Sequence, residues 1–387
     1  MTYIFFILLM GMFFGGFYCF KGRQKTSLFL LWMFCMSWAL IMGCRRHDVG
    51  NDTSTYAAYY ENKRLGDYNF YEAGTVNDPG PTIEKGYVLI AKTIHLFTGD
   101  HSTPVFIIIE LWLFLLIYTL YKRIAGHKLA LWDMVFLFSI SNIFVTLMVA
   151  VRQTVSICVF LTAFLLLQSE HIVKIKFSLL KRKKIILSLA LFILAFASHR
   201  TSLLIMPFIL SLYFIKVSRK RTVILLLTFG FVVSLFMQDS VTSLVNMGIG
   251  AMVNTTSENL QLLGDRYSSD YGARNTRLIT IAMWYLPFVI ATIGTERKNI
   301  NNFYFKCLIL ASMVNLFFPG SEMIDRTSTL AMILGFTRFV PDKVAYNSKW
   351  RYIYIIMAFI FLGKIFIRFT NWPTDVDSCI PFYFFWQ

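Results

Sequence analysis

Long apolar runs alternate with short polar junctions along nearly the whole chain. Each run has roughly 15 to 20 residues, enough for an α-helix to cross a hydrocarbon core of about 30 Å. The pattern predicts an all-α polytopic integral membrane protein with about 12 transmembrane helices. The predicted helices lie near residues 3–20, 26–43, 104–121, 131–149, 151–168, 184–197, 201–217, 221–237, 278–293, 303–318, 326–340 and 352–370. The first run has no basic residue before it, so it is expected to be a retained helix rather than a signal peptide.

One apolar segment, EKGYVLIAKTIHLF at residues 84–97, does not fit as a full span. Counting it as one would place the basic junction YKR, which follows the next helix, on the wrong side of the membrane. We therefore predict a short partial or interfacial helix that dips in from the outer face.

The charge distribution predicts the orientation. Only 15% of the residues are charged, 57% are hydrophobic, and the net charge is +16. The basic clusters fall on alternate junctions, so all of them can be cytoplasmic, with both termini outside. The net charge then needs no nucleic-acid partner. Residues 1–387 are read as one transmembrane domain with extracytoplasmic loops at about 44–103 and 238–277, and loops of that length usually have a function.

The six cysteines are scattered, mostly in or beside apolar runs, and lack the spacing of a metal site. We expect neither a disulfide nor a metal, and no cofactor.

Two arginines lie on the outer side, where topology normally depletes basic residues. Arg152 opens a helix in MVAVRQTV, and Arg326 lies in SEMIDRTST. Either could bind an anion. The alternatives are that Arg152 extends to the headgroups and that Arg326 pairs with Asp325 or Glu322.

His199 and Arg200 stand between two apolar runs in FASHRTSLLIMPF. His199 could donate to a phosphate or move a proton at this junction. It could equally be an interfacial histidine that bonds a backbone carbonyl.

The first outer loop contains Arg45, Arg46, Asp52 and Tyr56, and Glu84 precedes the short helix. Carboxylates at a membrane face can act as general bases toward a sugar hydroxyl, and tyrosine rings can stack on pyranoses. The alternative is a solvated loop whose charges pair locally and whose tyrosines are interfacial.

Together these residues predict a pocket on the outer face, above a bundle with no charged pair at mid-membrane. An ion-coupled transporter would be expected to have such a pair. A lipid-diphosphate substrate fits the pocket better, because arginines can hold its phosphates bidentately while its tail stays in the membrane.

The chain resembles the EpsG-type, Wzy-like polymerases of exopolysaccharide and O-antigen assembly. The resemblance runs, in order, through RRHDVGNDTSTYAAYY, EKGYVLIAKTI, VRQTVSICVFLTAF, FASHRTSLLIMPFIL, DRYSSDYG, IDRTST and CIPFYFFW. It implies a fold similar to the GT-C-type membrane glycosyltransferases. It also implies a polymerase that joins undecaprenyl-diphosphate-linked oligosaccharide repeats on the outer face of the bacterial inner membrane, with a flippase and a chain-length regulator as possible partners.

This interpretation assigns roles to the outer residues. Arg152, Arg326 and one of Arg45 or Arg46 are expected to bind the diphosphate, with Tyr56, Arg200 and Tyr267 also contacting substrate. Asp52 or Glu84 is expected to be the base, with His199 as the rival. The alternative functions are an O-antigen ligase-like transferase, an exporter of polysaccharide or lipid-linked sugar, and, less well supported by the residues, a membrane acyltransferase.

Overall fold

The computed structural model describes residues 84–124, 150–172, 178–199, 205–237, 278–318 and 322–339, and single positions between 32 and 60, at 147, between 240 and 247, and between 349 and 356. Within these ranges the protein is helical and has no strands, which confirms the all-α prediction. The chain divides into two compact units, Met1–Arg200 with Ile365–Gln387, and Thr201–Lys364.

The helices are numbered here in chain order. The first unit contains α1 (Lys85–Thr98), α2 (Ser102–Ile124), α3 (Val151–Ile172) and α4 (Ser178–Ser198). The second unit contains α5 (Met206–Ser211), α6 (Lys220–Phe236), α7 (Leu278–Gly294), α8 (Phe303–Phe317) and α9 (Glu322–Gly335), with short 3-10 turns at Arg297–Asn299 and Phe336–Arg338.

Seven of the predicted spans fall on described helices, namely α2, α3, α4, α6, α7, α8 and α9. In the described ranges, α2 and the Val151–Gln168 part of α3 are long and apolar enough to cross a membrane, and α7 and α8 contain shorter apolar stretches. The spans near 3–20, 131–149 and 352–370 lie largely outside the described residues, and the span near 26–43 lies partly outside them. The count of twelve and the GT-C-type arrangement therefore stay predictions.

The predicted span at 201–217 is wrong in its second half. Helix α5 has only six residues, and the chain after it turns and becomes irregular. Lys306 on α8 donates through Nζ to the carbonyls of Leu212 and Ile215, and Asn301 Oδ1 accepts from the Val217 N–H at 3.0 Å. These side chains satisfy backbone groups that a continued helix would have paired internally.

The short helix predicted at residues 84–97 is confirmed as α1, with Glu84 as its N-cap residue. Its 14 residues span about 21 Å at 1.5 Å per residue, less than a hydrocarbon core. It ends at Gly99, whose φ of 61° favours glycine and whose N–H donates to the His95 carbonyl at 2.9 Å. A partial or interfacial location stays a prediction.

Close backbone packing brings α1 to the end of α4. A Cβ at Gly86 would lie 2.6 Å from the Ala197 carbonyl carbon and 2.7 Å from the Ser198 nitrogen, so only glycine allows this approach. Helix α4 is in turn tied to α3, because Ser156 Oγ donates to the Ala195 carbonyl at 2.8 Å. The start of α1 and the end of α4 therefore meet beside α3.

Part of the polar stretch between residues 44 and 85, which the sequence suggested to be a loop, is helical. Residues 53, 56, 57 and 60 are helical, and their side chains, Thr53, Tyr56, Ala57 and Tyr60, are buried. Their spacing of three, four and seven residues places them on one face of a helix. Tyr56, Ala57 and Tyr60 share a core cluster with residues from α1, α2 and α3.

Candidate functional site

Glu84 joins two other residues that the sequence singled out. Its Oε2 accepts a hydrogen bond from Arg152 Nη1 at 2.9 Å, and its Oε1 accepts one from His199 Nδ1 at 3.2 Å. Glu84 precedes α1, Arg152 lies in the first turn of α3, and His199 directly follows α4. Three separate helix ends thus supply one cluster, which we call the Glu84 cluster.

Tyr56 extends the Glu84 cluster. Its hydroxyl accepts a hydrogen bond from Arg152 Nε at 2.6 Å. Its ring packs edge-on against Tyr87 with centroids 5.8 Å apart, and the Tyr87 and Tyr60 hydroxyls are 3.2 Å apart. The Tyr56 ring is buried, so the structure places its hydroxyl at the site and its ring faces against protein. Of the two sequence interpretations, a ring that stacks on sugar and an interfacial ring, stacking is not supported, because the ring is buried.

The environment of Glu84 holds it ionised. Burial alone would raise the pKa of this carboxyl, but the hydrogen bond from His199 and the charge of Arg152 outweigh burial and lower the pKa from 4.5 to about 2. A carboxylate with so low a pKa is a weak base at neutral pH. Its contacts suit it instead to orient Arg152 and His199, which donate hydrogen bonds to it.

The contact with Glu84 also fixes the tautomer of His199. Since Nδ1 points at an ionised carboxylate, Nδ1 carries the proton, and the neutral ring has its lone pair on Nε2. A carboxylate in this position also stabilises the imidazolium that forms when Nε2 takes up a proton. The geometry can therefore support proton transfer at Nε2.

The Glu84 cluster is only partly closed. The side chains of Arg152, Glu84 and His199 are 14%, 19% and 13% exposed to solvent, respectively. That exposure is enough for contact with a substrate group and low enough to strengthen the electrostatic interactions between them.

Arg45 occupies a different environment. Its Nη1 donates to Glu110 Oε1 at 3.3 Å and to the Met42 carbonyl at 2.9 Å, and its Nε donates to Thr53 Oγ1 at 3.4 Å. The guanidinium carbon lies 4.7 Å from the centre of the Phe106 ring. Arg45 and Glu110 are 1% and 2% exposed, so this is a buried ion pair. The sequence interpretation did not identify Glu110 as the partner of Arg45.

One feature of the sequence marks Glu110 as a candidate functional residue. It is the sole acidic residue of the 23-residue helix α2, in the run IIIELWLF. An ionisable residue inside an apolar helix of this kind normally has a partner and a function.

The roles of the remaining predicted site residues stay predictions. Arg326 lies in α9, in the second unit. Arg46, Asp52, Arg200 and Tyr267 lie outside the described residues. Within the described ranges, no group of three His, Cys, Asp or Glu residues could hold a metal ion.

Comparison with known proteins agrees with the resemblance. A model of the EpsG family matches residues 28–384, which include every residue of the Glu84 cluster. Searches of curated proteins and of solved structures found no match. The EpsG family comprises exopolysaccharide, Wzy-like polymerases, and its match over nearly the whole chain agrees with the apolar helices of a membrane protein. The chain belongs to the EpsG family, with a polymerase role in polysaccharide biosynthesis.

Proposed function

We propose that this protein joins lipid-diphosphate-linked oligosaccharide repeats into a surface polysaccharide on the outer face of the bacterial inner membrane. The lipid is expected to be undecaprenyl diphosphate. The observation that carries the proposal is the Glu84 carboxylate held between Arg152 and His199, because this arrangement supplies an oriented imidazole beside a guanidinium. Family membership supports the reaction class.

The reaction is a glycosyl transfer. The acceptor hydroxyl of the incoming repeat loses its proton to His199 Nε2, and its oxygen attacks the anomeric carbon of the growing chain. The bond between that carbon and the diphosphate oxygen breaks, and the lipid diphosphate leaves with the electron pair. Glu84 holds the imidazole in the required tautomer and stabilises its protonated form.

The charge balance of the Glu84 cluster suits this sequence of events. With neutral His199, the charges of Glu84 and Arg152 cancel. When His199 takes the acceptor proton, the cluster gains one positive charge as negative charge develops on the leaving diphosphate. An interaction that strengthens toward the transition state accelerates the reaction.

Further diphosphate contacts are proposed from Arg326 and Arg46, with Arg200 and Tyr267 also at the substrate. Arginine suits this role because its planar fork can bind phosphate oxygens bidentately. Asp52 is the alternative base. Glu84 is not proposed as the base, because its low pKa makes it a weak proton acceptor.

The test is to express His199→Gln and His199→Asn in a strain that lacks this gene, at matched membrane abundance, and to resolve the glycan on a gel. Both variants retain hydrogen-bonding capacity but cannot act as the base, so we expect loss of the polymer ladder. His95→Gln is the matched control, because His95 Nε2 also lies 2.9 Å from a carboxylate, that of Asp100, near the far end of α1. Normal ladders from both His199 variants would overturn the proposed chemistry.

One observation supports the exporter alternative: the buried Arg45–Glu110 pair resembles the intramembrane charges that transporters use. The two functions differ in what a deletion strain accumulates. A missing exporter leaves lipid-linked repeats facing the cytoplasm, whereas a missing polymerase leaves single repeats displayed outside. A ligase-like transferase would add sugar once to another acceptor and would make no ladder.

A further inference from the structure

Resting on the proposed function, we propose that the Arg45–Glu110 pair is a positioning device that holds the Tyr56 hydroxyl against Arg152. Arg45 is then a positioning residue and makes no contact with the diphosphate. Contacts of Arg45, Thr53 and Tyr56 connect α2 to the Glu84 cluster.

Burial of the pair indicates a role other than simple stabilisation. Removing two charges from water is costly, and an apolar pair of similar volume often stabilises a protein as well. The best-attested use of a buried polar contact is to fix one register among several. The Arg45 guanidinium, 1% exposed and engaged by Glu110, Met42 and Thr53, fits that use better than contact with a substrate.

The backbone next to Arg45 is also fixed against α2. A Cβ at Gly43 would lie 2.5 Å from Ile107 Cα, so glycine permits direct backbone contact there. With Gly43 opposite Ile107, Arg45 meets Phe106 and Glu110, which are four residues apart and share one face of α2. The close contact and the ion pair therefore specify the same register.

The connection to the site runs through one helical face. Arg45 Nε donates to Thr53 Oγ1, and Thr53 lies three residues before Tyr56 on the same buried face. The Tyr56 hydroxyl then accepts from Arg152 Nε at 2.6 Å. Because side chains three residues apart on a helix are neighbours, fixing Thr53 fixes Tyr56 and the orientation of the Arg152 fork.

The experiment measures whether the ion pair and Tyr56 act as one unit. Membranes that carry each variant are supplied with the lipid-linked repeats extracted from the deletion strain, and the initial rate of polymer formation is measured. The variants are Tyr56→Phe, the paired change Arg45→Met with Glu110→Leu, and all three together. The paired change removes both charges, so neither is left buried alone.

We expect Tyr56→Phe to lower kcat about tenfold with little change in KM, since it removes one hydrogen bond to a charged group. The paired change should lower kcat by a similar factor at normal abundance. When the paired change is already present, Tyr56→Phe should lower kcat by less than about twofold further, because the contact of Tyr56 with Arg152 is already lost.

A second variant covers the case in which the paired change fails to insert or fold. Thr53→Val keeps the ion pair and the side-chain shape but removes the acceptor for Arg45 Nε, and it should lower kcat and be non-additive with Tyr56→Phe. Thr119→Val is its control on α2, because the Thr119 hydroxyl bonds only its own helix at the Leu115 carbonyl in the contacts described.

Any of three results would overturn the positioning role alone. They are a wild-type rate from the paired change, a tenfold loss of kcat from Tyr56→Phe in every background, and no effect of Tyr56→Phe in the wild-type chain. Failure of wild-type membranes to make any polymer would instead overturn the proposed function, and the inference with it.

Discussion

At the scale of single residues, Glu84 accepts hydrogen bonds from the first turn of one helix and from the residue after another. Its pKa of about 2 lies below the ordinary value of 4.5. The folded state therefore gains stability from ionised Glu84 above about pH 5, and that gain is lost as pH falls toward 2. The gain amounts to at most about 3 kcal/mol.

We expect the melting temperature of the detergent-purified protein to fall between pH 6 and pH 3, and Glu84→Gln to flatten this dependence. Glu296→Gln is the control, because Glu296 pairs with Lys298 at the surface, where ion pairs contribute little. An equally steep pH dependence in Glu84→Gln would show that other groups dominate, and would contradict the strong ionic role assigned to Glu84.

The sequence predicted part of this site. Arg152, His199 and Glu84 were identifiable because charged or titratable side chains stand beside apolar runs, where chance places few of them. Their mutual pairing could not be predicted from the sequence, because it depends on how three helix ends meet. Arg45 and Arg46 could not be separated either, and the structure shows Arg45 engaged by Glu110, which lies 65 residues away.

At the scale of helices, Gly86 determines how closely α1 approaches α4. Gly86→Ala would add a Cβ 2.6 Å from the Ala197 carbonyl carbon, and backbone on both sides leaves no flexible group to move aside. We expect a loss of about 1 to 3 kcal/mol in stability from overpacking. We also expect a shortened glycan ladder, because α1 must shift and carry Glu84 away from His199.

Gly230→Ala is the matched control for Gly86→Ala. Gly230 is also inside a helix, but a Cβ there would meet Leu316 Cβ at 3.2 Å, a contact that a small movement relieves. Melting temperature and ladder length should be measured for both. If Gly86→Ala preserves the ladder as well as Gly230→Ala does, then the approach of α1 to α4 is not what brings Glu84 to His199.

Helix positions were the part of the fold best predicted from sequence, because long apolar runs allow few alternatives to a helix. The second half of the span predicted at 201–217 was wrong because of contacts from a residue distant in the sequence, which the local pattern does not show. Its free carbonyls are satisfied by Lys306, about ninety residues further along the chain. The helical face at Thr53 and Tyr56 was missed because a polar composition hides the spacing of its buried residues.

At the scale of the whole molecule, the proposed function requires the Glu84 cluster to face outward. The alternation of basic clusters predicts this, since Lys and Arg accumulate on cytoplasmic junctions. Two exposed residues in the structure allow a direct test: Lys85, directly after Glu84, and Arg219, in the basic junction KVSRKR. Among the described cysteines, Cys35, Cys158 and Cys307 are buried. The background for labelling therefore replaces Cys44 by serine, together with Cys19 and Cys379, which lie outside the described residues.

In that background, Lys85→Cys should react with a membrane-impermeant maleimide in intact cells, and Arg219→Cys should react only after the membrane is permeabilised. Each variant should first be shown to restore the glycan ladder, so that the labelled protein is the active one. If Lys85→Cys were labelled only after permeabilisation, Glu84, Arg152 and His199 would all face the cytoplasm. Polymerisation on the outer face would then be impossible at this cluster, because the three side chains are joined by direct hydrogen bonds and must lie on one side.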